Sequence, residues 1–336
     1  MNGRATRLLV LSLLAAVFTV AFTFVTIEAP AIISRLLPAF FPDYNPAFQA
    51  ELIEGLISNL RPVAYVCVVA LAALAVVGFK IGKAKLSSLG SLAMFLPTFG
   101  YYSFGMFFLT GLGILRILWV PFWDVSRSFV ILKLGDIAYL PYAVFVYPFW
   151  VAGMDVRRVL AHLAVGMGLL VFFLGTVAWF YGKLERRKVI DFWVYRFSRH
   201  PQYLGFLVWS YGVMLLATLS TFPRGGYYPG PSLPWLLSSL IIMCVAFKEE
   251  VEMTKTYGQE YLRYQQAAPF MVPLPKPISS IVKVTNRRLI RKELPETGKE
   301  IFCAFLLYLA ILVLLSLPFF VLNWPPGYGW NSWPRW

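Results

Sequence analysis

The feature that most constrains this chain is a series of nearly uncharged apolar runs, at 8–27, 62–79, 89–115, 137–153, 159–182, 203–219, 233–247 and 301–322. A helix needs about 20 apolar residues to cross a hydrocarbon core, and helices are the natural way to satisfy backbone polar groups there. The runs therefore predict an all-α, polytopic transmembrane helical bundle of about eight spans. Composition agrees, with 59% hydrophobic, 17% aromatic and only 14% charged residues, far from the average of a soluble domain. Arg4 and Arg7 precede the first run as they would in a signal peptide. That run exceeds the usual h-region of about 7–15 residues, so a retained helix is expected.

A net charge of +14 raises the question of nucleic acid, but the cations sit mainly beside the spans, where cytoplasmic loops collect them. No nucleic-acid partner is expected. Lys80, Lys83 and Lys85 mark 80–88, six Lys/Arg mark 183–199 and ten mark 248–300, so these segments should face the cytoplasm. The Gly/Pro-rich connection 220–232 then closes a tight hairpin on the far side. The terminal NWPPGYGWNSWPRW forms an outer aromatic belt.

This orientation demands an even number of crossings between 89 and 182, where three runs occur. The run 137–153, carrying Pro141 and Pro148, is the best candidate for a broken or re-entrant segment. Leu52, Ile53, Leu56, Ile57 and Leu60 recur at helical spacing, as in a helix lying along the interface or packed on the core. Cys67, Cys244 and Cys303 lie inside apolar runs without CxxC or a neighbouring His, so neither a disulfide framework nor a metal site is expected. No fixed-period repeat is present. Three regions follow: an N-terminal membrane region 1–158, a core 159–276, and a basic linker with a last membrane helix, 277–336.

Chemistry concentrates in that core. In YRFSRHPQYLG, Pro201 suits a first helical turn and leaves His200 near the cap. A helix start with free N–H groups beside Arg196 and Arg199 attracts a carboxylate or phosphate, although such a cluster is also an ordinary interfacial anchor. Gly205 marks a place where a cofactor or a neighbouring helix can come close. The next span runs into AFKEE, and charges at membrane depth are costly unless they pair or serve a site. A hairpin between the two spans puts Arg199 and His200 beside Glu249 and Glu250, facing opposite poles of one zwitterionic nucleoside. Tyr257, Tyr261 and Tyr264 share one helical face, a stripe equally suited to plain packing, before Pro269 and Pro273 end the helix.

This order, RHPxYxG, a membrane hairpin, EE, a glycine, then YxxYxxxxPxxxP, resembles the isoprenylcysteine carboxyl methyltransferase family and its phospholipid-methyltransferase relatives. Arg199, His200, Pro201, Tyr203, Gly205, Glu249, Glu250, Gly258, Tyr261, Tyr264, Pro269 and Pro273 carry the likeness, over about residues 160–276.

The resemblance implies an integral membrane enzyme that binds S-adenosylmethionine in a cytoplasm-facing pocket and methylates a lipid or lipidated acceptor arriving from the bilayer. His200, Tyr203, Gly205, Glu249 and Glu250 would contact the cofactor, and Tyr261, Tyr264 and Pro269 would close over it. Arg199 would hold an anionic acceptor. Glu250 would be the base for an amine or hydroxyl acceptor. Its setting would be the plasma membrane of a prokaryote or the endoplasmic reticulum of a eukaryote. The chain departs from the family pattern in MCVAF before Lys248, where arginine is common, and in Ala268, where valine is usual. Two other readings are an NADPH-dependent sterol or enone reductase of related fold, and a transporter or assembly subunit using Pro141, Pro148 and His162. Paired carboxylates would repel a 2′-phosphate and disfavour the reductase.

Overall fold

The computed structural model describes residues 3–36, 61–70, 130–219, 232–272 and 295–321, with isolated positions elsewhere between 55 and 124. The segments 80–88, 89–115, 220–231 and 323–336 lie outside the described residues, and the stretch 52–60 is described only at isolated positions. Helices α1 (Gly3–Leu36), α2 (Leu140–Val151), α3 (Arg157–Leu184), α4 (Pro201–Leu219), α5 (Ser232–Tyr257), α6 (Gln259–Ala267) and α7 (Gly298–Val321) follow in order. Short 3-10 helices cover Val130–Tyr139 and Trp193–Arg196. Among the described residues there is no strand.

Four stretches are long and apolar enough to cross a membrane: Ala5–Thr26, Leu134–Val151, Arg157–Leu184 and Gly298–Phe319. They coincide with four of the expected spans. The expected spans 203–219 and 233–247 are helical as parts of α4 and α5. In α1, Leu9, Leu13, Val17 and Val20 stay exposed, as side chains facing lipid would. The run 137–153, the candidate for a broken or re-entrant segment, is not broken as far as Val151: it is helical from Val130 to Val151. What changes at Pro141 is the type of helix, from 3-10 to α, because a proline in the first α turn has no missing bond to regret.

The chain divides into two compact units. In the unit formed by Thr26–His162, Val213–Ile241 and Leu306–Trp336, Asp136 is wholly buried and accepts a 2.6 Å hydrogen bond from Ser232 Oγ. Nearby, the Ile137 N–H donates to Ser316 Oγ at 3.2 Å. Gly135 lies so close to the backbone of Ser232 and Leu233 that a Cβ there would clash.

The unit formed by Met1–Val25, Leu163–Gly212 and Ile242–Phe305 holds the candidate site. There α3 and α4 pack antiparallel: Gly168 faces Trp209, Phe172 faces Gly205 and Gly175 faces Gln202. A side chain at Gly168 or Gly205 would strike the partner's backbone, so the two glycines set the close approach. Phe18 and Phe22 of α1 stack on Phe172, with ring centroids 6.1 and 5.2 Å away, and Phe22 meets the edge of Phe206. Below the loop after α3, Val189, Tyr195, Tyr261, Tyr264 and Ala268 form a buried cluster. A reciprocal cap starts α7, where Glu300 accepts from the Thr297 N–H and Thr297 Oγ accepts from the Glu300 N–H.

Candidate functional site

The site begins where the chain re-enters a helix. After the 3-10 turn at Trp193–Arg196, the Ser198 hydroxyl accepts the His200 N–H at 3.2 Å, and the Leu204 N–H closes the first α turn on the His200 carbonyl. Pro201 occupies the first helical position, where its missing N–H costs nothing. His200 is thus the cap of α4, next to Glu249 and Glu250, which lie about two turns before the end of α5.

Arg199 is the knot of this arrangement. Its Nε and Nη2 donate to the two oxygens of Glu250 at 2.5 and 2.9 Å, the bidentate fork that suits a carboxylate. Its Nη1 donates to the carbonyls of Gln265 and Ala268 at 2.8 and 2.6 Å, and its backbone N–H to the Pro269 carbonyl at 2.9 Å. One buried residue therefore ties the start of α4 to Glu250 within α5 and to the last turn of α6. His200 Nε2 lies 3.2 Å from Glu250 Oε1, and Gln265 Nε2 donates to Glu250 Oε2 at 3.2 Å.

The twin acids have different surroundings. The Glu250 side chain is 4% exposed, that of Glu249 46%. Glu249 accepts a 2.6 Å hydrogen bond from Tyr203 Oη, and its other oxygen stands 3.9 Å from His200 Nδ1. Burial alone would raise the Glu250 carboxyl, but hydrogen bonds from His200 and Arg199 and the Arg199 charge outweigh it and hold it below the ordinary value. Burial pushes Glu249 the other way, upward, against the Tyr203 hydrogen bond and the nearby His200.

Beyond α6 the chain folds back over the knot. Phe270 stacks on Phe247 at 4.3 Å and meets the His200 ring edge-on at 5.2 Å, with the Arg199 guanidinium 5.8 Å from its centre. The His200 ring also stacks on Tyr203 at 5.6 Å. Tyr264 Oη donates to the Tyr195 carbonyl at 2.8 Å, which fixes α6 on the loop that precedes α4.

The structure thus brings together Arg199, His200, Tyr203, Glu249, Glu250, Tyr261 and Pro269, with Tyr264 one layer below. Within the protein their partners are these. Arg199, expected to hold an acceptor, spends its fork on Glu250 and two carbonyls. Glu250, expected to be a base, is held below its ordinary value, because hydrogen bonds from His200 and Arg199 outweigh its burial. Gly205, expected to touch a cofactor, is the contact of α4 with Phe172. Tyr261 and Tyr264 are buried in the hydrophobic cluster. Sequence reasoning did not single out Gln265, Ser198 or Phe270. Gln265 lies one residue from Tyr264 and four from Tyr261, and Phe270 directly follows Pro269, so spacing held some signal for both.

Glu249, Tyr203 and His200 form the part of the site able to meet a ligand: a solvent-reachable carboxylate, a hydroxyl and an imidazole. Such a set accepts hydrogen bonds from a vicinal diol or an ammonium group. The start of α4 is packed on α3, with Pro201 fully buried and Gln202 N against Gly175. No group of three or more His, Cys, Asp or Glu able to hold a metal occurs among the described residues. No family model, curated protein or solved structure matches this chain.

Proposed function

We propose that the chain is an integral membrane methyltransferase that uses S-adenosylmethionine to methylate a lipid-borne acceptor, a prenylcysteine carboxylate or a membrane lipid. The observation that carries this reading is the meeting of RHPQY at the start of α4 with KEE in the second half of α5, under one folded-back segment. In the full reading the bundle has about eight spans and the site faces the cytoplasm, as the distribution of cations favours.

The residues present suit the nucleoside. Glu249 and Tyr203 would take the ribose hydroxyls or the ammonium, and His200 would flank them. The bound sulfonium would supply an already activated methyl group. The protein's share is then alignment and exclusion of water. Arg199 acts as a positioning residue: it holds Gln265, Ala268 and Pro269 over the site and keeps Glu250 ionised without exposing it. A carboxylate acceptor has no proton to lose. For an amine or hydroxyl acceptor, Glu249 is the accessible carboxylate and replaces Glu250 as the group able to accept the proton.

The test is a thermal-shift and calorimetric titration of the detergent-solubilised chain with S-adenosylmethionine, its demethylated product and NADPH. Stabilisation by the first two alone is expected. Stabilisation by NADPH alone, or by none of the three, overturns the reading. Methyl-labelled cofactor with membrane extract then identifies the acceptor by whether label enters lipid or protein.

A further inference from the structure

The loop between α3 and α4 has two faces of opposite character. Its inner face is apolar and occupied: Val189 and Tyr195 belong to the buried cluster with Tyr261 and Tyr264, and Ile190, Phe192 and Val194 pack against it. Its outer face carries five exposed cations, Lys183, Arg186, Arg187, Lys188 and Arg196, against two exposed acids, Glu185 and Asp191. Two large apolar side chains stand among them, Trp193 at 43% and Phe197 at 72% exposed.

The backbone is strained to present this face. Arg186 and Trp193 both adopt positive φ, 52° and 50°, a region costly for residues with a side chain and rare for bulky ones. Packing holds the Trp193 strain in place, with its ring 5.1 Å from Tyr181 and 5.2 Å from Phe192. Conformations of this kind persist only where the surroundings over-determine them. The loop is therefore a fixed plate.

Its position selects the partner. The antiparallel pair α3 and α4 puts the plate at the end of α3, a helix long and apolar enough to cross a membrane. We propose that this plate binds the anionic phospholipid headgroups of the bilayer that the chain spans, its cations on the phosphates and Trp193 and Phe197 at the boundary with the acyl chains. Both halves of that chemistry are complementary: juxtamembrane Lys and Arg are drawn to an anionic leaflet, and exposed aromatic rings settle at its interface. A nucleic acid or an acidic soluble protein would satisfy the charges but leave Phe197 in water. Because the inner face of the plate supports α6, lipid bound outside also steadies the segment that folds over the site.

The experiment compares the purified full chain in neutral detergent micelles doped with equal mole fractions of phosphatidylglycerol or phosphatidylcholine. Phosphatidylglycerol should raise the unfolding temperature by several degrees more than phosphatidylcholine and remain bound in native mass spectrometry. High salt should erase the difference. The combined variant Arg186→Gln, Arg187→Gln, Lys188→Gln, Arg196→Gln should lose the preference while unfolding at the wild-type temperature in phosphatidylcholine. Phe197→Ser, a milder change, should weaken it. Soluble glycerol phosphate should have no effect; if it reproduces the shift, the ligand is a free phosphate and the proposal falls. Equal shifts by the two lipids, or a preference retained by the four-residue variant, overturn it. Should that variant not fold, the wild-type salt arm and Phe197→Ser decide.

Discussion

Glu249 and Glu250 are chain neighbours on one helix, yet they sit in regions with opposite economies. Around Glu250 every donor is internal: Arg199, His200 and Gln265 all turn inward, and the carboxylate is sealed. Around Glu249 one hydroxyl is supplied and nearly half the side chain remains open. Adjacent helix positions point about 100° apart, so the doublet allows one acid to hold the fold and the other to meet a ligand. A membrane protein gains from that separation, because a charge that must stay buried is kept out of the site where charge must stay available.

The largest expected effect comes from breaking the sealed side. Arg199→Ala leaves Glu250 as an uncompensated buried charge and frees two carbonyls of the returning segment, those of Gln265 and Ala268, while the backbone bond to Pro269 stays. Loss of one partner of a buried pair costs about 3–5 kcal/mol, read as a fall in the unfolding temperature in detergent. An unfolding temperature equal to wild type would mean that the knot does not hold the segment. On the open side, Glu249→Gln should leave stability near wild type but weaken nucleoside binding. A hydrogen bond to a charged group contributes roughly 1.5–3 kcal/mol, about tenfold to a hundredfold in Kd. Calorimetry on this variant sharpens the contrast, and a loss of stability equal to that of Arg199→Ala would erase it.

The smallest effect is that of acid. The folded Glu250 carboxyl lies below its ordinary value, so its stabilisation is complete above the usual glutamate range, about pH 4.3, and is lost as pH falls through the lowered folded value. Wild type should therefore lose stability more steeply than Arg199→Ala on acidification below that range, as followed by unfolding temperature against pH. Asp155, brought down to about 2 chiefly by the Arg157 hydrogen bond, titrates in the same direction in both proteins. It sits at the exposed start of α3, and the difference between the two curves cancels it.

Much of this was readable from the chain alone, for identifiable reasons. Length and apolarity mark α1, α3 and α7, because the bilayer demands both at once. The meeting of Arg199 and His200 with the twin acids follows from two helices joined on their far side. The three-residue step from Tyr261 to Tyr264 puts both on one face, which proved to be the buried one. What could not be read is direction. Nothing in KEE says which acid takes the arginine, since either would satisfy the charge and only the packing of α6 decides. Gly205 offered the same ambiguity between cofactor and helix, and the backbone of Phe172 took the space. At Pro141 the residue type correctly marked a discontinuity, but a junction of two helix types satisfies a proline as well as a break does.

The glycine-to-backbone crossing of α3 and α4 leaves these two helices no slack. Sliding α4 along its neighbour would bring a residue with a Cβ against Phe172 or Trp209, so the pair behaves as a stop. The stretch from Gln259 to Val272 starts instead from Gly258, where there is open space around the backbone and a positive φ of 54° that glycine adopts without strain.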